Sequence, residues 1–349
     1  MSNNPAPDTF EVIHARILRF FPDLVTELSG DPAYCLNKAG VDPNILVADQ
    51  PSVTYRQLAN LLAFAADELH CPDFGMRLAE QQRGTAMFGP LGQVMQSSTT
   101  FGEALDYVCS HNYAHSLAAR VRLKHLPSEE KVFIAHDILL DGIPNRSQVM
   151  EQLLLVGHLA ALEMTGGTAR ARCVYFRHQP VSAPKTYRHY FGCRVMFDQD
   201  EDGLVFSRQD LARPIIDPNA HILEEMVTFI DKNFTRRTPP THAEVRGIIM
   251  RQLGIGDCSN QAVAKGLNLH LRTLHRRLSA EGTSFQQVKE QVRKDVMLYY
   301  LQQTDIELSR ISERLGFAEQ SIMSRQCKRW FRASPTQVRL QGRRASKVR

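Results

Sequence analysis

QAVAKGLNLHLRTLHRRLSAEG (residues 261–282) and SRISERLGFAEQSIMSRQCKRW (residues 309–330) are two copies of one pattern. Val263 answers to Ile311, Ala264 to Ser312, Leu267 to Leu315, Asn268 to Gly316 and Leu269 to Phe317. One extra residue then enters the second copy, after which Leu274 answers to Met323, Arg276 to Arg325 and Leu278 to Cys327. Asn and Gly tolerate a left-handed backbone better than other residues. Each copy therefore reads as a short helix, a tight turn at Asn268 or Gly316, and a second helix. This is the helix-turn-helix arrangement, whose second helix enters the DNA major groove and offers its N-terminal half to base edges.

On the first recognition helix, Leu271, Leu274 and Leu278 fall on the inner face. Arg272, His275 and Arg276 fall on the outer one, flanked by Arg277. Arginine can bond a guanine edge with two donors and histidine can donate or accept once, so these are candidate base readers; the bland alternative is a solvated, Arg-rich helix surface. Between the copies, Gly282 can close one helix and Ser284 with Gln287 can open the next as a capping box. Phe285, Val288, Val292, Val296 and Tyr299 or Tyr300 recur at helical spacing through 284–303. About 19 residues at 1.5 Å each give a spacer of roughly 28 Å, close to one DNA turn of about 34 Å.

Charge supports the same partner. From Arg236 onward, 22 Lys and Arg stand against 9 Asp and Glu, leaving 20 against 28 for residues 1–235. A basic domain joined to an acidic one suits a polyanion. The acidic part alternates helical and period-2 runs. Helices are expected over 9–29, 52–69, 100–114 and 147–164, with strands over 116–126, 131–139, 171–178, 193–197 and 203–207. An antiparallel pair joined by Pro-Ser-Glu-Glu (127–130) stands among them, and the class is α+β followed by an all-α domain. The expected organisation is a regulatory domain over 1–217 and a connecting helix and linker over 218–239, with TRRTPPTH (235–242) as punctuation. A DNA-binding domain fills 240–349, with helix-turn-helix units at 261–282 and 309–331.

Other chemistries find little support. No run of 18 apolar residues exists to span a bilayer, and the start lacks the basic and apolar regions of a leader, so a cytoplasmic address is expected. The seven cysteines are scattered and never spaced CxxC, which argues for reduced thiols over a disulfide framework or zinc site; a redox-sensing cysteine stays open. His111 and His115 share a helix face without further recognisable ligands, so no metal is expected. Arg170, Arg172 and Arg177 flank the CVYF strand, either to meet an acidic effector or, the favoured reading, to pair with surplus carboxylates. No G-x-S-x-G, Gly-rich phosphate loop or HExxH is present, so the chain reads as no enzyme, without cofactor or catalytic residue.

HLRTLHRRLSAEGTSFQQV, the Val-rich helix, ISERLGFAEQS, the R-x-C-K-R-W run and SPTQVR together resemble the DNA-binding domain of AraC/XylS regulators over about residues 240–340. The resemblance implies two helix-turn-helix subdomains joined by one helix, with base contacts from Arg272, His275 and Arg276 in the first and Gln320, Ser321, Ser324 and Arg325 in the second. Arg277 and Lys328 are the matching phosphate-contact candidates. The chain departs from the family where larger apolar residues are usual (Met323, Cys327), where Gly is usual (Arg332) and where Tyr is usual (Val338). VDPNILVADQPSVTYRQL, PDFGMRLAE and SSTTFGEALDYV resemble the arabinose-binding-type N-terminal domain of a subset of these regulators. That implies a small-molecule effector, at residues the sequence does not mark, and a dimer. It also implies double-stranded operator DNA and RNA polymerase as partners, and an activator's role; the alternatives are a ligand-independent architectural DNA binder and an enzyme with an appended DNA-binding module.

Overall fold

Ser147–Met164 has apolar residues on every side, the pattern of a helix surrounded by protein. The computed structural model describes residues 10–48, 51–126, 130–143, 146–234, 238–254 and 256–347, and this helix lies at the heart of the first of two compact units. The units are Met1–Ile138 with Arg146–Thr238, and Leu139–Asn145 with Pro239–Arg349.

In the first unit the helices are α1 (Phe21–Glu27), α2 (Pro32–Lys38), α3 (Tyr55–Glu68), α4 (Phe74–Gln82), α5 (Pro90–Ser97), α6 (Phe101–His111), α7 (Ser147–Met164), α8 (Pro184–Phe191), α9 (Arg208–Leu211) and α10 (Ala220–Asn233). The strands are β1 (Val12–His14), β2 (Ser52–Thr54), β3 (Ala119–Leu126), β4 (Lys131–Ile138), β5 (Cys173–Tyr175), β6 (Arg194–Met196) and β7 (Gly203–Ser207). β1 and β2 pair antiparallel, and the remaining five form one sheet in the order β3-β4-β7-β5-β6, with only β5 and β6 parallel. This is the expected α+β mixture. α3 and α4 pack on α7, and Gly75 of α4 lies so close to α7 that a Cβ would run into the Gln148 carbonyl.

One expectation fails at the start. The run 9–29 is not one helix: Val12–His14 is a strand, Ala15–Leu18 a 3-10 turn, and the helix begins at Phe21. Phe20 is left-handed at φ 67° and Pro22 stands in the first turn of α1, so the chain re-enters a helix there and cannot continue one. The 52–69 helix likewise starts at Tyr55, where Thr54 and Gln57 form a capping box and the preceding three residues pair with β1. Two expected connections, residues 127–129 of the hairpin and 235–237 of the linker, lie outside the described residues.

The second unit contains α11 (Thr241–Gln252), α12 (Asn260–Gly266), α13 (Leu271–Ala280), α14 (Phe285–Gln303), α15 (Leu308–Arg314), α16 (Gln320–Phe331) and α17 (Pro335–Lys347). One contiguous apolar core runs beneath all of them, from Val245 and Ile249 through Leu274, Val292 and Met297 to Met323, Cys327 and Val338. The segment Leu139–Asn145 belongs to this unit. There Arg246, only 4% exposed, donates to the Leu140 carbonyl at 2.9 Å and to Asp295 at 2.8 Å, and the Gly142 amide reaches Asp295 at 3.1 Å.

Candidate nucleic-acid interface

Both turns close in the same way. Asn268 and Gly316 are left-handed at φ 55° and 64°. The Leu269 amide donates to the Ala264 carbonyl at 2.9 Å, and the Phe317 amide to the Ser312 carbonyl at 3.0 Å. Each bond spans the same five residues and satisfies a carbonyl that the ending helix would leave open. The sequence repeat is therefore a structural repeat: α12-turn-α13 and α15-turn-α16. Ser259 caps α12 by accepting from the Ala262 amide, and Ser284 caps α14 by accepting from Gln287.

α14 holds the two copies together. Its Lys289 donates to the Cys258 carbonyl at 2.7 Å, just before α12. Its Arg293 donates to the Leu315 and Gly316 carbonyls at 2.9 and 2.8 Å, and its guanidinium lies 4.7 Å from the Phe317 ring centre. Farther out, Glu290 accepts from the Trp330 indole at 2.7 Å and pairs with Arg329. At the other end, the Glu281 carboxylate accepts from the Thr241 and His242 amides at 2.7 and 2.9 Å, capping α11 from the end of α13. Those donors hold the Glu281 carboxyl below the usual carboxylate range, against an opposing contribution from burial.

Two groups stand apart among the unit's cations. Arg246, Lys289, Arg293, Arg329 and Arg339 are tied to backbone carbonyls or carboxylates of the unit itself. Arg272, Arg276, Arg277, Arg325 and Lys328 are exposed and form no ion pair among the described residues. On α13, Leu274 and Leu278 are buried while Arg272, His275, Arg276 and Arg277 face outward, as their spacing predicts. On α16, Met323 and Cys327 are buried, Gln320, Ser321 and Arg325 are exposed, and Ser324 is half-buried.

Two polar neighbours of these faces escaped the sequence reading. Asn260 places its side-chain amide 3.3 Å from His275 Nε2, so the first turn of α12 adjoins the face of α13. Ser321 donates to the Glu319 carboxylate at 2.9 Å, which puts an acidic group beside the N-terminus of α16. The Ser-Asn pair that opens α12 and the Glu that precedes α16 were the available signals. In the first unit, His111 stacks on Tyr107 at 3.9 Å, and no cluster of metal-ligating groups occurs among the described residues. Arg172 pairs with Asp210 at 3.1 Å, in keeping with the favoured reading of that arginine.

Two helix-turn-helix units on one core, each ending in a recognition helix with exposed polar and basic groups, define a DNA-binding transcription regulator. Residues 30–215 match the family described as the arabinose-binding domain of AraC transcription regulator, N-term, and residues 263–341 match a helix-turn-helix domain. The HTH-type transcriptional regulator VirS of Mycobacterium tuberculosis is 31% identical over 332 residues, covering 95% of this chain and 97% of VirS. The ornithine utilization regulator of Pseudomonas aeruginosa is 24% identical, covering 96% of this chain and 98% of that protein. The crystal structure of the transcriptional regulator CdpR from Pseudomonas aeruginosa overlays 97% of this chain and all of that one, at 18% identity and a TM-score of 0.45. The chain belongs to the AraC/XylS family of transcriptional regulators, in the group with an arabinose-binding-type N-terminal domain.

Proposed function

We propose that this regulator is an activator controlled by a small-molecule effector in its first unit, and that it reads two consecutive major-groove segments of one operator. In this reading Arg272, His275 and Arg276 contact bases from α13, and Gln320, Ser321, Ser324 and Arg325 from α16. Arg277 and Lys328 neutralise phosphates, the protein acts as a homodimer, and RNA polymerase is the partner in activation. It is a regulator and not an enzyme. The observation that carries the proposal is the repeated left-handed turn leading into helices on which Arg272, Arg276, Arg277, Arg325 and Lys328 are exposed and form no ion pair within the described residues. Cations already spent on backbone carbonyls would have to be pulled away to meet DNA; these five would not.

The test is selection of genomic fragments by the purified full-length chain at fixed, near-physiological salt. Two short recurrent blocks about one helical turn apart are expected. Binding without any recurrent site, with or without cell extract, would indicate an architectural protein and sink the proposal. On the selected site, Arg276→Ala is expected to weaken binding by about 1–3 kcal/mol and relax preference at one base pair, measured as competition between matched and mismatched duplexes. An unchanged preference would remove Arg276 from the readers.

A further inference from the structure

The first unit holds a partly open cavity of about 80 Å³ between the sheet and helices α5, α6 and α7. Phe101, Leu154 and Phe206 are among the side chains that wall it, and the polar groups on its surface are Asn112, His115 and His136. No charged side chain lines it among the described residues. Two observations mark it as more than a packing defect. First, His136 Nε2 is buried and has no hydrogen-bond partner among the described residues. A buried imidazole nitrogen left unmet is unfavourable, and a hydrogen-bonding occupant of the cavity would remove that cost. Second, Gly157 stands in the middle of α7 and faces the cavity, where a Cβ would meet only Leu204 Cδ1 at an ordinary 3.7 Å. Helix propensity favours alanine there and packing permits it, so a glycine at this place serves the open space.

We propose that this cavity is the effector site, and that its ligand is a small, neutral, mainly apolar molecule with one oxygen function that hydrogen-bonds His136 Nε2. The proposal rests on the effector-controlled reading above. Size limits the ligand: a dry apolar cavity of about 150 Å³ holds a benzene ring, so this one suits a short aliphatic chain. Charge limits it further. Burial, with the Arg16 guanidinium and neighbouring imidazoles adding to it for His115, pushes the imidazoles of His115 and His136 down to about 4, so both are neutral at pH 7, and a carboxylate would find no charged side chain on the cavity wall. A pentose fares no better, since several hydroxyls would face phenylalanine and leucine side chains. The cavity's chemistry is therefore not that of a sugar site.

The experiment uses the full-length chain with 1-propanol as probe and sodium propanoate and L-arabinose as contrasts, reading thermal stability and binding by titration. Propanol is expected to raise the Tm, and the two contrasts to leave it unchanged. Gly157→Leu fills the cavity and is expected to abolish the propanol shift; Gly157→Ala, which needs no repacking, should weaken it. His136→Leu keeps the volume and removes the nitrogen, and is expected to lower propanol affinity about five- to tenfold. No shift with propanol, an equal shift in Gly157→Leu and Gly157→Ala, or a larger shift with propanoate overturns the assignment. Operator binding separates the two readings. Propanol binding that leaves operator occupancy unchanged keeps the cavity as a ligand site and removes effector control through it. A cell extract that alters operator occupancy equally in wild type and Gly157→Leu keeps effector control and removes the cavity.

Discussion

Two residues show how single side chains set the stability of this protein. Glu151, on α7, is fully buried, accepts from the Tyr187 hydroxyl at 2.6 Å and lies 3.7 Å from His178 Nε2. Burial pushes its carboxyl up to about 8, from an ordinary 4.5. A raised folded value means the folded state holds a proton that the unfolded chain releases, so stability is full below about 4.5 and is lost as pH rises to about 8. Glu151→Gln keeps the neutral shape and removes the titration. Its unfolding free energy should exceed that of wild type by an amount growing to on the order of 2–4 kcal/mol between pH 5 and 8, measured by urea denaturation. Parallel pH profiles would show that the carboxyl is ionised when folded. The second residue is Arg332, left-handed at φ 56° at the C-cap of α16, where the family usually has glycine. Arg332→Gly should stabilise the second unit by about 1 kcal/mol, seen as a rise in its Tm. The departure at 332 was legible in the sequence, but its backbone conformation was not, because an arginine carries no local signal for a left-handed turn.

Among the elements, α14 is the one that ties the two repeats together. Its apolar spacing and its serine cap were legible, and the helix runs Phe285–Gln303 with Ser284 as cap, within a residue of the expected 284–303. The use of its cations was not legible, since composition counts Arg293 and Arg276 alike. The structure separates them by geometry: Arg293 is bound to two turn carbonyls, Arg276 faces outward. Arg293→Met should therefore destabilise the second unit by about 1–2 kcal/mol while leaving the salt dependence of DNA binding unchanged. A slope of log K against log salt that falls by about one would place Arg293 on a phosphate instead. The early helix failed as an expectation for a related reason. Its apolar spacing was sound up to Phe20, but Phe20 takes a left-handed backbone, and β2, about 40 residues on, captures Val12–His14 into a pair. Non-local strand pairing leaves no trace in a local window.

At the scale of the molecule, the repeat and the α+β mixture could be read from spacing and turn residues, because those depend on local backbone preferences. The membership of Leu139–Asn145 in the second unit could not: the segment spans the end of the expected strand 131–139 and the stretch before the expected helix 147–164, and carries no mark of a distant partner. Leu139, Leu140 and Ile143 are instead buried, and Arg246 depends on the Leu140 carbonyl. A fragment beginning at Pro239 lacks that segment. It should fold and bind the selected operator, but with a lower Tm than the same unit in the full chain and with faster amide exchange in α11, read by hydrogen–deuterium exchange. Equal protection of α11 in both would mean that the segment adds nothing. The cavity was also beyond the sequence, since His136 and Gly157 lie on different elements and line one space only once the sheet and α7 pack.

The single core beneath both helix-turn-helix units has a consequence for the DNA. Two reading heads on a flexible tether could follow an operator whose halves had been rotated apart, whereas heads seated on one apolar interior have no hinge to absorb the rotation. Each inserted base pair turns the far block by roughly a tenth of the duplex circumference, and the strain of matching it falls on the DNA twist. If both units read one operator as proposed, phase between the two blocks becomes part of the recognised message.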